Sequence, residues 1–473
     1  GRGISFFNNC FVFIGKEDTR EEWGRLAKSA TNALMSGGGI GVDYSVFRPS
    51  GQLLKRTGGV ASGPIPLASS INEIGRNVRQ GGSRRSAIYG SLNWQHGDIE
   101  QWLNVKDWDN QIIPGTNVTY GEAKKNNFDA SAPFDSTNIS VNYDDEWLKD
   151  KLNATFLKNV EMAMRNGEPG FSFNFGKHSN ETGRNACSEF ISDVDSDVCN
   201  LGSINLANID DIDELKRVVH VASKFLVCGT IRATLPDEKT AIVREKNRRL
   251  GLGLMGVHEW LLKRGYRYEI NDEFSDWLSV YKNESEVGAN EHCDRFFLSR
   301  PKTYRAIAPT GTIGMIAGTS TGIEPIYAVA YKRRYIDGEA HKYQYVIDKC
   351  AESIISECGV NPDSIETAAD LALEPERRIQ FQADVQKYVD MGISSTLNLP
   401  AWGSEHNNKD RILGFANLIA KYAPRLRGLT FYPDNARGGQ PLIKADYNEA
   451  KEAGNTIYEE NSDAGCKSGV CGI

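Results

Sequence analysis

The chain contains the stretch Asn185-Ala-Cys187-Ser-Glu189, and a second cysteine opens the stretch Cys199-Asn-Leu-Gly-Ser-Ile-Asn205 a short distance later. Asn185, Cys187 and Glu189 stand at i, i+2 and i+4, so an extended backbone would place an amide, a thiol and a carboxylate on one face. A carboxylate beside a thiol disfavours the thiolate, which argues against a nucleophile of the protease type. The pattern indicates a neutral thiol next to a base, which suits hydrogen-atom chemistry. The alternative is a buried free cysteine in a polar loop.

The composition is that of a globular protein, with 40% apolar and 25% charged residues among 473. This length allows one large α/β barrel or two to three domains. The formal net charge of −7 argues against nucleic acid as the main partner. No segment resembles a signal peptide or the roughly 18 apolar residues of a membrane span. We therefore expect a cytoplasmic protein without membrane contact, in the host cytoplasm if the chain is viral.

The nine cysteines are an odd number, which argues against a secreted disulfide framework. Cys228, Cys293, Cys350 and Cys358 lie in apolar, helix-like patterns and are predicted to be buried, and none of the seven histidines is predicted to lie beside a cysteine. Two cysteines stand near the end, in Cys466-Lys-Ser-Gly-Val-Cys471. Zinc would need two more ligands and this tail has no histidine, so a mobile dithiol explains them better than a metal site.

Strand-like and helix-like segments alternate along most of the chain, which predicts an α/β fold. The end of the chain, from residue 459 onward, lacks a periodic apolar face and is predicted to be flexible. Predicted strands are 6–14, 137–141, 306–309 and 429–432, and predicted helices are 21–36, 62–80, 145–165, 212–226 and 248–264.

Two segments are candidates for phosphate binding. Thr310-Gly311-Thr312-Ile313 forms a hydroxyl- and glycine-rich turn that opens a helix, where free N–H groups suit an anion; the alternative is a plain helix cap. Gly81-Gly-Ser-Arg84-Arg85 is a loop whose two guanidiniums can grip phosphate or stack on a base; the alternative is a solvated loop.

These residues, taken in order along the chain, resemble the catalytic α subunit of the ribonucleotide reductases. The resemblance runs nearly from end to end and does not depend on one motif. The matching blocks are Asn9-Cys10-Phe-Val, Gly37-Gly-Gly-Ile-Gly41, Arg48-Pro49, Ala61-Ser-Gly-Pro64, Gln80-Gly-Gly-Ser-Arg-Arg85, Asn185-Ala-Cys-Ser-Glu189, Cys199-Asn-Leu-Gly-Ser-Ile-Asn-Leu206, Gly251-Leu-Gly-Leu-Met-Gly256, Ala308-Pro-Thr-Gly-Thr-Ile313, Gly318-Thr-Ser-Thr-Gly-Ile-Glu-Pro325, Gly428-Leu-Thr-Phe-Tyr432, Arg437-Gly-Gly-Gln440 and the two-cysteine tail.

The resemblance implies a ten-stranded α/β barrel of two five-stranded halves, over residues 1–455, with a central finger loop that carries the reactive cysteine. Residues 456–473 would be a flexible redox tail. Cys187 would become the thiyl radical that abstracts the ribose 3′ hydrogen, with Glu189 as the base on the 3′ hydroxyl and Asn185 holding that region. Cys10 and Cys199 would form the redox pair that ends as a disulfide.

The resemblance also implies partners and binding residues. Cys466 and Cys471 would reduce the internal disulfide and be re-reduced by thioredoxin or glutaredoxin. Thr310, Gly311, Thr312 and Ile313 would cradle the substrate phosphates, and Ser62 would line the same site. Arg84 or Arg85 would reach the substrate base, and Asp18 and Arg48 would hold a deoxynucleoside triphosphate effector at the interface of a homodimer.

The radical source is open between two alternatives. The chain shows a single tyrosine, Tyr432, in its late strand and the block Arg437-Gly-Gly-Gln440, which resemble the adenosylcobalamin-dependent branch. No segment resembles a cobalamin-binding insertion, so a separate ferritin-like dimetal subunit, with Tyr432 as the last relay, is the other alternative. We expect no covalently bound cofactor and no domain that regulates overall activity. The substrate can be a di- or a triphosphate.

Two other classes of function compete with the reductase. A catalytically silent nucleotide-binding regulator of the same fold would not need five cysteines at these positions. A glycyl-radical relative would need a glycyl-loop motif near its end, where this chain has Cys466 and Cys471 instead.

Overall fold

The computed structural model describes residues 7–8, 10–54, 58–80, 84–127, 130–337, 340–436, 442–454 and 456–459. Within these ranges the fold is α/β, as the alternating pattern predicts, and its centre is a nine-stranded mixed sheet. The strands are β1 Cys10–Ile14, β2 Gly39–Asp43, β3 Arg79–Gln80, β4 Arg84–Arg85, β5 Ile88–Asn93, β6 Thr137–Tyr143, β7 Gly170–Phe173, β8 Gly183–Arg184, β9 Ile191–Ser192, β10 Asp197–Asn205, β11 Leu250–Met255, β12 Ala330–Asp337, β13 Ala340–Ile347, β14 Thr396–Leu399, β15 Gly428–Pro433, β16 Leu442–Lys444 and β17 Ile457–Glu459.

The helices lie mainly in the connections between these strands. In the described part of the chain, none of them is long and apolar enough to cross a membrane. They are α1 Arg20–Met35, α2 Ile65–Asn77, α3 Ile99–Asn104, α4 Tyr120–Asn126, α5 Ala154–Asn166, α6 Ile212–Arg232, α7 Glu238–Asn247, α8 Val257–Lys263, α9 Asp272–Arg295, α10 Gly311–Ala317, α11 Lys349–Cys358, α12 Ala368–Leu371, α13 Pro375–Gln386, α14 Ile412–Tyr422 and α15 Tyr447–Ala453.

The large sheet has the strand order β11-β10-β1-β2-β5-β6-β7-β15-β14. The strands β1, β2, β5, β6 and β7 run parallel to one another, and so do the pairs β10–β11 and β14–β15. The two parallel groups meet in antiparallel pairs, β1 with β10 and β7 with β15. The sheet therefore joins two parallel sets of opposite direction.

Residues 303–307 lie between the two edge strands of this sheet. On one side, the amides of Leu250 and Leu252 in β11 donate to the carbonyls of Thr303 and Tyr304 at 2.9 Å each. On the other side, the amide of Ile307 donates to the carbonyl of Gly392 at 3.1 Å, a few residues before β14. The bridges Leu252–Arg305 and Ile307–Ile393 are both parallel. Backbone hydrogen bonds thus connect β11 to the segment that leads into β14.

One predicted helix is wrong. Residues 248–264 were predicted to be a single helix, but Leu250–Met255 is strand β11 and only Val257–Lys263 is helical. A Cβ at Gly253 would lie 2.6 Å from the carbonyl oxygen of Ala306, so this glycine allows close approach of two backbones in a sheet. The glycines in this apolar run correctly indicated close packing. They did not indicate whether the closely packed element is a helix or a strand.

The boundary of the predicted tail also needs correction. Residues 456–473 were assigned to a flexible tail, but Ile457–Glu459 is strand β17, which pairs antiparallel with β13. Strands β16, β12, β13 and β17 form a separate four-stranded sheet. The remainder of the predicted tail, with Cys466 and Cys471, lies outside the described residues.

Candidate active site

The central stretch of the sequence forms the tip of a small hairpin, which we call the finger hairpin (residues 183–192). Strands β8 and β9 pair antiparallel, and the amide of Asn185 donates to the carbonyl of Phe190 at 3.2 Å. The amide of Ser188 donates to the carbonyl of Asn185 at 3.0 Å, and Ser188 has a φ of 67°. Residues 185–189 are therefore a tight turn, and the prediction of an extended segment with three side chains on one face is wrong. A left-handed residue allows the chain to reverse here.

Two glycines let the finger hairpin lie directly against neighbouring backbone. A Cβ at Gly41 in β2 would overlap the carbonyl oxygen of Arg184, and a Cβ at Gly392 would overlap that of Ser188. The amide of Gly392 donates to the carbonyl of Glu189 at 2.8 Å, and the side-chain amide of Asn138 donates to the carbonyl of Ala186 at 3.1 Å. The finger hairpin is held from both groups of strands, so its position is fixed by close packing.

Asn185 connects the finger hairpin to the first strand. Its Nδ2 lies 2.8 Å from Oε1 of Glu189 and 3.1 Å from Sγ of Cys10, and its Oδ1 accepts from the amide of Phe190 at 3.1 Å. The Cys10 thiol lies 3.9 Å from the same Glu189 oxygen. Among the described residues, Oε2 of Glu189 is buried and has no hydrogen-bond partner. An amide, a thiol and a carboxylate thus meet at one point, with one carboxylate oxygen left to bind another group.

Cys10 and Cys199 face each other across the antiparallel junction of β1 and β10. Directly opposed residues in such a pair have Cα atoms about 4.5 to 5.5 Å apart, within the range that a disulfide requires. Both side chains are buried, and both thiols are reduced. The geometry therefore permits the two cysteines to exchange between a dithiol and a disulfide.

Burial controls the protonation of this cluster. Burial raises the pKa of Glu189 to about 7, although the hydrogen bond from Asn185 opposes the shift. Burial, followed by the charge of Glu189, raises the pKa of the Cys10 thiol well above its ordinary value. Burial, followed by the charges of Asp197 and Glu189, does the same for Cys199. At neutral pH both thiols are protonated, and Glu189 can gain or lose a proton, as a general acid or base must.

Cys187 occupies the tip of the finger hairpin and is exposed, unlike Asn185 and Glu189 beside it. Its charge, if ionised, would raise the pKa of Cys10, which places the two sulfurs within electrostatic reach of each other. The three cysteines predicted to act together therefore occur in one region, with Cys187 open to a reaction partner and the other two enclosed.

A buried arginine supports the base of the finger hairpin. Arg184 donates from Nε to Oγ of Ser172 and from a terminal nitrogen to Oδ1 of Asn174 at 2.9 Å. Burial lowers the pKa of its guanidinium to about 10, which keeps it positively charged at neutral pH. This side chain crosses to β7 and its following residues, so it fixes the finger hairpin to the first group of strands.

The predicted phosphate turn has the expected form. Thr310 has a φ of 54° and precedes α10, and its hydroxyl accepts from the amide of Gly322 at 2.8 Å. The hydroxyl of Thr310 does not accept a hydrogen bond from the first backbone amides of α10, those of Gly311 to Ile313. The local structure therefore agrees with a turn that presents backbone N–H groups.

Ser62 lines the same cavity as the two predicted effector residues. Asp18, Arg48 and Ser62 line one cavity of about 360 Å³, together with Trp23 and Phe47. Nε of Arg48 is paired with Oδ2 of Asp18, and both side chains are about one-third exposed. The assignment of Ser62 to the substrate site stays a prediction.

Other predicted residues are only partly described. Tyr432 is half-buried on β15, where alternate residues Leu429 and Phe431 are buried in the core. Arg84 and Arg85 form the short strand β4, but their side chains lie outside the description.

Two of the four cysteines predicted to be buried are exposed. Cys293 and Cys350 are buried as predicted, but Cys228 and Cys358 are not. Sγ of Cys228 lies 3.2 Å from Nε2 of His292, a contact that the sequence did not predict. The helix-like patterns are correct for α6 and α11, but Cys228 and Cys358 lie on the exposed side of their helices.

The sequence analysis missed the link between the finger hairpin and β10. Asp193, Asp195 and Asp197 follow the hairpin, and each is held by cations: Arg249 contacts Asp193 and Asp197, and Arg25 contacts Asp195. The signal was present as acidic residues at alternate positions directly before Cys199. Without the structure, their cationic partners, which are far away in sequence, could not be identified.

Comparison with known proteins agrees with this geometry. The family described as "Ribonucleotide reductase, barrel domain" matches residues 8–150, 154–276 and 299–415. A vitamin B12-dependent ribonucleoside-diphosphate reductase of Thermoplasma acidophilum is 26% identical over 502 residues, covering 93% of this chain and 63% of that protein. A protein of the same description from Mycobacterium tuberculosis is 27% identical over 497 residues, covering 94% of this chain and 70% of that protein.

A solved structure, the class Id ribonucleotide reductase α subunit of Actinobacillus ureae, has a similar fold. Its TM-score is 0.69 at 17% identity, and the match covers 92% of this chain and 85% of that chain. The chain spans under two-thirds of the Thermoplasma relative's length, so the match concerns the barrel region. On the family match over most of its length, together with the cysteine, amide and carboxylate cluster, this chain belongs to the ribonucleotide reductase family.

Proposed function

We propose that this chain reduces ribonucleotides to 2′-deoxyribonucleotides by a radical mechanism that starts at Cys187. The observation that supports it best is the single amide of Asn185, which contacts both Glu189 and Cys10, while Cys10 faces Cys199. This arrangement holds an acid–base group and two reducing thiols around one small volume, beside an exposed third thiol.

The first step takes a hydrogen atom from the sugar. A thiyl radical on Cys187 forms an S–H bond as the ribose C3′–H bond breaks, which leaves a radical on C3′. Glu189 accepts the proton of the 3′ hydroxyl through Oε2, the carboxylate oxygen that is buried without a partner. The raised pKa of about 7 lets this carboxylate take up that proton and release it later in the cycle.

The second part of the reaction removes the 2′ hydroxyl. Cys10 or Cys199, both of which are protonated thiols at neutral pH, supplies the proton with which that hydroxyl leaves as water. The second thiol supplies the hydrogen that C2′ gains, the two sulfurs form a disulfide and so give two electrons to the sugar, and Glu189 returns its proton to the 3′ oxygen. Cys187 returns its hydrogen atom to C3′, so the thiyl radical is regenerated.

The disulfide must be reduced before the next turnover. We propose that Cys466 and Cys471 reduce it by thiol–disulfide exchange and are themselves reduced by thioredoxin or glutaredoxin. Cys466 and Cys471 stand 7 and 12 residues after strand β17 in the sequence, and a flexible chain of that length would reach about 15 to 20 Å on average. In this proposal the barrel region ends near residue 455 and a redox tail follows strand β17.

The radical has to be generated from outside the cluster described above. The exposure of Cys187 fits either source, because adenosylcobalamin or a dimetal partner subunit must reach this sulfur. The two vitamin B12-dependent relatives favour adenosylcobalamin, which when bound supplies the radical by breaking its cobalt–carbon bond. No described residue identifies a corrin-binding surface, so none of the steps above depends on it. Tyr432 would act as a relay only with a partner subunit.

Substrate and effector would bind at two separate sites. We propose that Thr310, Gly311, Thr312 and Ile313 bind the phosphates of a ribonucleoside di- or triphosphate. The cavity of Asp18, Arg48 and Ser62 would bind a deoxynucleoside triphosphate at the interface of a homodimer, and the loop that carries Arg84 and Arg85 would carry its signal to the substrate base.

We also propose that residues 303–307 are the tenth strand of a closed barrel. With them, each parallel group has five strands: β1, β2, β5, β6 and β7 in one, and β10, β11, 303–307, β14 and β15 in the other. The hydrogen bonds from Leu250 and Leu252 to this segment, and from Ile307 to Gly392, support closure.

The direct test is ribonucleotide reduction with dithiothreitol as reductant, assayed with adenosylcobalamin and, separately, with a co-expressed metal-loaded partner. The Cys187→Ser variant should lose all turnover, because oxygen cannot replace the thiyl radical. Cys358→Ser, which removes another exposed thiol, is the matched control and should retain full turnover. The Cys10–Cys199 disulfide should accumulate once per chain when dithiothreitol is omitted.

The competing function predicts a different result. A silent nucleotide-binding regulator would bind nucleotides but show no turnover with either radical source, and Cys187→Ser would change nothing. The intact cluster of Cys10, Asn185, Glu189 and Cys199 argues against that alternative, because binding alone has no use for two opposed thiols.

A further inference from the structure

The return from the finger hairpin to β10 is fixed by a buried ion pair. Asp197 is the first residue of β10 and has no exposed surface, and Arg249, just before β11, is 2% exposed. Nε of Arg249 lies 2.7 Å from Oδ2 of Asp197. A second nitrogen of Arg249 lies 2.6 Å from Asp193, whose side chain is 38% exposed. One guanidinium therefore bridges an enclosed carboxylate and one at the surface.

Asp197 satisfies donors from three elements at once. Its Oδ2 also accepts from Oγ of Ser192 in β9 at 2.7 Å and from Nδ2 of Asn247 at 2.8 Å, and its Oδ1 accepts from the amide of Val198 at 2.9 Å. These donors belong to the finger hairpin, to the end of α7 and to β10 itself. Loss of this carboxylate would leave several buried donors without a partner, so the position of the finger hairpin relative to β10 depends on it.

The same carboxylate lies on the side of the strand that carries a reacting thiol. Asp197 and Cys199 are two residues apart on β10, so their side chains project from one face, opposite Val12 and Cys10 of β1. The charged groups that act on the Cys199 thiol are Asp197, Glu189 and Arg249. The two carboxylates disfavour its thiolate and the guanidinium favours it.

We propose that the Asp197–Arg249 pair is a positioning device for the proposed reductase reaction: it fixes the finger hairpin against β10 and places two opposite charges beside Cys199, of which Asp197 favours the neutral thiol that the departing 2′ hydroxyl needs. The role of this pair in catalysis rests on the proposed function, whereas its effect on the ionisation of Cys199 does not. A thiol that ionised early would have no proton to give to the departing hydroxyl, and it would be open to unwanted oxidation.

The test measures how alkylation of Cys199 by iodoacetamide depends on pH, in the full chain, with peptide mass spectrometry to separate each cysteine. Asp197→Asn should move the midpoint for Cys199 down by about one pH unit, because a like charge has been removed while Arg249 remains. Arg249→Gln should move it up by a similar amount. Opposite shifts from the two halves of one ion pair cannot come from a general loss of packing.

Two controls sharpen the result. Asp193→Asn removes the exposed partner of Arg249 and should leave the Cys199 midpoint unchanged. Cys358, an exposed cysteine at the end of α11, serves as an internal reference in every sample. If Asp197→Asn fails to fold, the upward shift of the Cys199 midpoint in Arg249→Gln still tests the inference.

Equal midpoints in the wild type and in a folded Asp197→Asn or Arg249→Gln variant, or shifts of the same sign in both, would overturn the inference. A chain without ribonucleotide turnover that nevertheless shows the opposite shifts would overturn only the proposed function. Alkylation requires neither radical nor substrate, so the two failures are distinguishable.

Discussion

At the scale of single residues, the chemistry of the cluster follows from where water is excluded. Glu189 is enclosed, and its environment supplies one amide donor in place of a hydration shell. The result is a carboxyl group whose pKa of about 7 differs strongly from that of an exposed glutamate. Because its enclosed site stabilises the charged form poorly, Glu189 can gain and lose a proton near neutral pH.

This environment predicts that Glu189→Gln lowers activity and raises stability. Turnover should fall by about a hundredfold or more, because the acid–base group is gone. The wild-type rate should rise with pH through about 7, where Glu189 loses its proton, and the residual rate of the variant should not. Initial rates measured across that pH range would check this, and a variant that kept the wild-type profile would show that another group is the base.

The same substitution should stabilise the folded chain at alkaline pH. Between the ordinary value of 4.5 and about 7, the folded chain holds a proton on Glu189 that the unfolded chain has lost. The free energy of unfolding therefore decreases as pH rises through this window. Glu189→Gln removes that dependence, and the gain above pH 7 is up to about 3 kcal/mol. Urea unfolding at acidic and alkaline pH measures it.

At the scale of elements, the finger hairpin depends on a glycine in the strand beneath it. Gly41→Ala would place a Cβ against the carbonyl oxygen of Arg184, so the hairpin or β2 must move. We expect a loss of several kcal/mol in stability and of nearly all turnover. Gly24→Ala in α1 is the matched control, since nothing lies near its Cβ, and it should be neutral or stabilising by about 1 kcal/mol. Thermal melting distinguishes the two; similar melting temperatures for both variants would contradict the packing argument.

The segment proposed as the tenth strand is anchored by one buried arginine. Arg305 is 2% exposed and contacts Asp390, Glu286 at 2.8 Å and Ser285 at 2.7 Å. Arg305→Met should cost about 3 kcal/mol, because the half-buried carboxylate of Asp390 loses its cation and the buried hydroxyl of Ser285 loses its donor. Hydrogen exchange at the amides of Leu250 and Leu252 should accelerate, since they donate to residues 303 and 304.

An exposed arginine gives the control for that experiment. Arg300 pairs with Asp294, and both side chains are more than half exposed, so Arg300→Met should leave stability almost unchanged. Unchanged exchange at both amides in Arg305→Met would show that 303–307 does not close the barrel.

The sequence predicted most elements, but not the geometry that brings their side chains together. Helix periodicity located α1 and α6 to within a few residues, because an apolar stripe is a local property. Leu250–Met255 was misassigned because two glycines in an apolar run fit a packed helix or a crowded strand equally well. The turn at Ser188 and the pairing of Asp197 with Arg249 depend on contacts between distant segments, which no local pattern records.

The resemblance to a family identified residues that local reasoning could not have joined. Cys10 and Cys199 are far apart in sequence, and only the antiparallel junction of β1 and β10 makes them neighbours. Local reasoning was also too simple for Cys187, whose neighbours were expected to share its face but are enclosed while it is exposed.

At the scale of the whole molecule, the proposed effector cavity predicts a change in assembly. A deoxynucleoside triphosphate should convert the chain to a dimer, and Arg48→Ala should abolish that response, because Arg48 and Asp18 line the cavity. Arg267→Ala removes another ion-paired surface arginine and should respond as the wild type does. Light scattering with and without each nucleotide measures this; a concentration-independent monomer under every condition would remove the proposal.

The antiparallel junction between the two strand groups has one more consequence. Cys10 lies in one strand group and Cys199 in the other. Each oxidation would therefore link the two groups covalently, and each reduction would break that link. A cross-link that closes so long a loop restricts the denatured chain by about 5 kcal/mol in the chain-entropy account. The melting temperature would then be higher for the oxidised chain than for the reduced chain. A melting curve alone would therefore show whether the Cys10–Cys199 pair in a sample is a disulfide or a dithiol.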